Sequence, residues 1–106
     1  MLVRDIKQDK NIKKIKQLKR NLFLITYNSD IMAIRYHQTD ILRFYYDFRT
    51  KKRVIRINTG EYLTQTTKNH INAFIPGKLI QKNFKWYYIN GNKAMPFYDN
   101  MIINYE

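Results

Sequence analysis

The 106 residues carry twenty Lys and Arg against eight Asp and Glu, a net charge of +12. Hydrophobic residues make up 44% of the chain, which argues against intrinsic disorder and leaves room for one core, so a single domain over residues 1–106 is expected. The absence of cysteine excludes disulfides and thiolate metal sites and fits a reducing cytoplasm.

Residues 1–20 hold eight basic side chains and two acidic ones, half of the net charge in a fifth of the length. Ile12, Ile15, Leu18 and Leu22 fall within about a third of a helical wheel, which predicts a basic amphipathic helix from Asp9 to Arg20. No continuous apolar segment precedes Leu22, so this is not read as a secretory signal. Leu22–Tyr27 is too short to span a bilayer, and a soluble protein with no membrane partner is expected.

From Leu22 the pattern turns to strands. Leu22–Tyr27 and Ile31–Tyr36 read as a hairpin around Asn28-Ser29-Asp30. In the next strand Leu42, Phe44, Tyr46 and Phe48 alternate with Arg43, Tyr45, Asp47 and Arg49, a period of two with one buried face. Thr50-Lys51-Lys52 turns the chain into Val54–Ile57, and Asn58-Thr59-Gly60 turns it again toward Tyr62 and Leu63. A helix over 67–75 is predicted, opened by Thr66-Thr67, striped by Ile71, Phe74 and Ile75, and ended by Pro76-Gly77. Phe84, Trp86 and Tyr88 then alternate with Lys85 and Tyr87, and Asn90-Gly91 signals a tight hairpin with both central residues at positive φ. Met95, Phe97 and Tyr98 return, and Met101-Ile102-Ile103 forms a last edge. The expected fold is α+β: a curved antiparallel sheet of five to seven strands over 21–106, packed on one short helix, with a basic helix at the N-terminus.

The stretch Gly60–Phe74, with its Thr-Thr-Lys-x-His-Ile-Asn helix start, resembles a group of short, mostly uncharacterised proteins encoded by phages and plasmids. Pro96-Phe97-x-Asp99-x-Met101-Ile102 is similar to their C-terminal end. The resemblance implies a mobile-element origin, hence a host-cell cytoplasm, and implies no activity.

The charge excess points to a polyanionic partner, and nucleic acid is the commonest one. A generally basic composition from an AT-rich genome would give the same Lys and Asn enrichment. On the predicted N-terminal helix, Lys10, Lys13, Lys14, Lys16, Lys19 and Arg20 form a comb of cations suited to backbone phosphates. Arg43, Arg49, Lys51, Lys52, Arg53 and Arg56 extend the positive surface. Tyr45 between Arg43 and Arg49, and Tyr87 beside Lys85, interleave aromatics with cations as base stacking requires, although a strand aromatic is ordinarily a packing residue. Lys68 and His70 lie near a helix N-terminus, where backbone N–H groups favour anions.

No catalytic constellation is found and no enzyme is expected. His37 precedes Asp40 by three positions, a pairing that a turn could make, and a metal-independent ribonuclease built on His37 or His70 is the weakest of three readings. Two His and scattered carboxylates show no metal-ligand spacing, and no phosphate-binding glycine loop exists, so no metal and no cofactor are expected. The leading expectation is a nucleic-acid-binding accessory protein of a phage or other mobile element. The alternative is a phage inhibitor of a host protein or nucleoprotein defence complex.

Overall fold

The computed structural model describes residues 12–104. In chain order the elements are β1 (Lys14–Lys19), β2 (Leu22–Thr26), β3 (Met32–Tyr36), β4 (Thr39–Asp47), β5 (Lys52–Ile57), α1 (Gln65–Asn72), β6 (Lys78–Lys82), β7 (Lys85–Asn90), β8 (Lys93–Pro96) and β9 (Met101–Asn104). Among the described residues, nine strands form two antiparallel sheets, one of six strands in the order β1-β2-β3-β4-β5-β9 and one of three in the order β6-β7-β8. The α+β expectation is therefore corrected. This is a β-rich domain with one eight-residue helix among the described residues, and the described part of the predicted N-terminal helix is strand β1.

The error at the N-terminus has a physical cause. β2 is buried on both faces, with Leu22 on one side and Phe23 and Ile25 on the other. Its neighbour β1 must offer one apolar residue to each face. Ile15 packs with Phe23, Ile25 and Ala33, while Leu18 packs with the Leu22 cluster across the sheet. A bulge between Gln17 and Lys19 adjusts the register. Two apolar residues three apart, serving opposite faces, imitate the spacing of a helix. The two-residue turn that follows places Asn21 at φ 60°, a conformation Asn tolerates better than most residues.

The main core lies between one face of the six-stranded sheet and a cover made of α1 and the small sheet. Leu22, Ile34, Leu42, Ile55, Ile57, Met101 and Ile103 meet Ile71 of α1 and Leu79, Trp86 and Tyr88 of the small sheet. The alternation expected along β4 holds at Leu42 and fades outward. Phe44 is half-buried, and Phe48, past the strand end, is 76% exposed because the cover does not extend that far.

Helix α1 starts two residues earlier than expected. Thr64 is the N-cap, its hydroxyl oxygen accepting from the Thr67 N–H at 3.2 Å, and the helix ends at Asn72 rather than near Pro76. Asn72 then ties α1 to β6 by accepting from Leu79 N–H at 2.7 Å and donating to Leu79 C=O at 2.9 Å. Tyr62 and Leu63 are exposed loop residues, not strand. At the β7–β8 turn only Gly91 has positive φ, because Asn90 still belongs to β7.

Gly77 has φ +73°, and a Cβ there would collide with the Ile89 carbonyl oxygen and the Tyr88 hydroxyl. That hydroxyl donates to Pro76 C=O at 2.6 Å, so it cannot swing aside without losing a bond. Gly77→Ala is expected to lower stability by about 2 kcal/mol or more, through left-handed strain and the clash together, measured by urea unfolding.

Candidate nucleic-acid interface

The sheet face opposite the main core carries two neighbouring regions. Phe23, Ile25 and Ala33 form an apolar cluster with Ile12, Ile15 and Tyr27. Beside it, strands β3, β4 and β5 carry Arg35, Asp40, Arg43 and Arg56 on the same face. A bulge between Ile34 and Arg35 shifts the β3–β4 pairing so that Arg35 stands opposite Asp40 rather than Ile41. Further along, Arg43 stands directly opposite Arg56 across β4 and β5.

Asp40 organises the cations. Its Oδ1 accepts from Arg35 Nε at 2.6 Å, and its Oδ2 accepts from Arg43 Nη2 at 3.0 Å and from the Tyr27 hydroxyl. Arg35 Nη2 also donates to the Tyr27 oxygen at 2.7 Å, and the Arg43 guanidinium lies 5.1 Å from the Tyr27 ring centroid. Burial opposes ionisation of Asp40, but the bonds from Arg35, Tyr27 and Arg43 outweigh it and hold the carboxyl below its ordinary range. Burial, then the bond to Asp40, raises the Tyr27 phenol. Asp40 overcomes the opposing effect of burial to raise both Arg35 and Arg43. The network is charged at neutral pH and stays so.

An open hollow of about 1030 Å³ is built on this network, lined by Lys13, Tyr27, Asn28, Arg35, Thr39, Asp40, Arg43, Arg56, Asn58 and Gly60 among others. Among the described residues, four cations share it with one carboxylate. Among the same residues, Arg56 makes no ion pair, and Arg43 Nε is buried with no hydrogen-bond partner. Two like charges face each other on adjacent strands, and a buried donor is left unsatisfied. Each costs stability in the isolated chain, and an anion beside Arg43 and Arg56 would offset the like-charge repulsion.

The predicted cations divide by strand parity. Lys13, Arg43 and Arg56 are brought together at the hollow. Tyr45, across from Val54, and Lys52, across from Asp47, lie further along the same face of the β4–β5 hairpin. Lys14 and Lys16 stand opposite Thr26 and Leu24, on the other face, and Lys19 follows them there beyond the bulge. The comb expected on a helix is therefore split between two faces. Arg20 lies exposed in the β1–β2 turn, and Arg49 and Lys51 lie exposed in the β4–β5 turn. Arg53 pairs with Tyr46 on the main-core face, where it lines an apolar groove. Lys68 and Lys85 are distant in the fold, on α1 and β7, and Lys68 Nζ sits 5.8 Å from the Trp86 ring centroid. Lys10 lies outside the described residues.

Sequence reasoning missed Arg35, Tyr27 and the anchoring role of Asp40. The His37–Asp40 pairing it entertained is not made, because Asp40 is taken by three other donors. The two histidines instead flank Tyr36, with ring centroids at 4.3 Å for His37 and 4.6 Å for His70. Burial, then the charges of Lys19 and His37, pushes the His70 imidazole below its ordinary value, which favours its neutral form. Among the described residues no group of His, Asp and Glu gathers as metal ligands, and no helix is long and apolar enough to cross a membrane.

Neither a curated protein nor a solved structure is found to be similar to the chain. A family model described as Kyanoviridae Gp96 protein matches residues 3–104, nearly the whole length. The chain belongs to this family of phage proteins.

Proposed function

We propose that this phage protein is a nucleic-acid-binding accessory protein that grips backbone phosphates at the hollow. The observation that carries the reading is the set of four cations, Lys13, Arg35, Arg43 and Arg56, around a single carboxylate already saturated by its neighbours. Guanidinium groups match phosphate oxygens in pairs, and Tyr45 extends the same face with an aromatic ring that a base can use. Contacts to phosphates carry no sequence information, so binding through these cations is weakly sequence-specific.

Fluorescence anisotropy with a mixed-sequence oligonucleotide tests the proposal. If four cations each neutralise one phosphate, the log–log salt slope is about −3 to −4, and affinity is lost between dilute buffer and roughly 0.3 M salt. An RNA oligonucleotide is recovered intact after long incubation. No retention in dilute buffer, or an affinity that does not respond to salt, contradicts the reading.

A specific observation favours the second reading, an inhibitor of a host protein or nucleoprotein defence complex. On the opposite sheet face, Leu18, Leu24, Met32, Ile34, Phe44 and Phe74 line an apolar groove of about 510 Å³ beyond the edge of the cover. Exposed apolar anchors suit protein docking. A salt-resistant complex with a single host protein, together with no oligonucleotide binding, selects this reading over the first.

A further inference from the structure

The hairpin of β6 and β7 turns through two residues, Asn83 and Phe84, both at positive φ (52° and 66°). This turn favours Asn followed by Gly, because the second position is left-handed and a Cβ strains it. Here the second position holds a phenylalanine, a bulky residue for which such a φ is a genuine outlier. Its ring gains nothing in exchange, since Phe84 is 95% exposed. The residues that close the turn, Lys82 and Lys85, are direct cross-strand partners, so two like charges oppose each other at the tip. From Lys78 to Pro96 the chain holds four lysines and no acid. Strain, an exposed ring and charge repulsion therefore converge on one tip, each a cost to the isolated protein.

We infer that this tip is a nucleobase-stacking finger, with Phe84 stacked on a base or wedged between two, and with Lys82 and Lys85 on the flanking phosphates. The inference rests on the nucleic-acid reading and adds a second contact to the hollow. A strand of nucleic acid offers an apolar π-face next to repeated negative charge, which is the pattern the tip presents in complement. A lipid surface fits less well. The neighbours of Phe84 are Lys82, Asn83 and Lys85, so a single ring would carry the whole insertion.

The test uses the full chain and a thymine-rich single strand carrying 5-iodouracil. Irradiation is expected to crosslink the strand to the peptide containing Phe84. Phe84→Gly is expected to lose that crosslink and to bind about tenfold more weakly, while the salt slope stays that of the native protein. The same variant is expected to melt no lower than the native protein, because glycine relieves the turn and no packing is lost, an outcome a structural role for Phe84 would not give. Phe84→Trp restores the affinity. A strand that binds with its full salt slope, crosslinks elsewhere and binds Phe84→Gly equally well overturns the finger and leaves the hollow standing. Phe84-dependent binding to phosphatidylserine vesicles, with none to the strand, overturns it in favour of a membrane contact. No binding of the strand to any form of the protein overturns both.

Discussion

Replacing Arg43 and Arg56 together with glutamine is expected to weaken oligonucleotide binding by about 100-fold in dilute buffer and to flatten the salt slope by about two. The size follows from removing two charge-assisted phosphate contacts at about 1.5 kcal/mol each, with one condensed counterion per lost contact. The variant should remain folded. Losing Arg56 removes a like-charge neighbour of Arg43, and Asp40 keeps its bonds from Arg35 and Tyr27 when Arg43 is gone. The matched control is Lys14→Gln with Lys16→Gln, which lowers the net charge equally but on the opposite sheet face. Equal losses in the two double variants would mean that net charge alone drives binding. A loss confined to the arginine pair assigns it to the hollow.

The second large effect concerns stability. Asp40→Asn is expected to cost about 3 kcal/mol in urea unfolding, since it leaves Arg35 and Arg43 around a neutral amide that cannot balance them. The Asp40 side chain is only 9% exposed, so solvent cannot substitute for the lost charge. The effect also has a pH signature. The folded pKa of Asp40 lies below its unfolded value, so its contribution is fully present above about pH 4 and is lost as pH falls through the folded value. Native stability should therefore fall more steeply below about pH 4 than that of Asp40→Asn, and the two curves should converge in acid. Parallel curves would show that the carboxylate is not held by its arginines in solution.

Much of the strand pattern is legible in the sequence, and the reasons are local. β4 declares itself through Leu42, Phe44 and Tyr46 alternating with Arg43 and Tyr45, and β2 through its apolar run. Turn residues mark the β2–β3, β4–β5 and β7–β8 hairpins, and Thr and Ile spacing marks the helix to within a few residues. β1 imitates a helix because Ile15 and Leu18 serve opposite faces of a sheet apolar on both sides, and a three-residue spacing does not say which period it belongs to. The hollow was half legible. Arg43, Arg56 and Lys13 stand out as cations, yet their meeting depends on strand register. Arg35 and Asp40 meet only because of a bulge, and a bulge leaves no mark in a single sequence. Alternation with Trp86 and Tyr88 points to a strand position for Phe84. The turn takes it because Lys82 and Lys85 pair directly, leaving two residues to reverse the chain.

The arginine side chains themselves offer the most direct measurement. In a titration of the protein with a short oligonucleotide, followed by the NMR signals of the arginine Nε–Hε groups, Arg43 is the reporter, since its Nε is buried without a partner among the described residues. The signals of Arg43 and Arg56 are expected to move together, to saturate, and to return when salt is added. Both signals standing still while the oligonucleotide binds would place the phosphates elsewhere on the molecule and remove the hollow from the account.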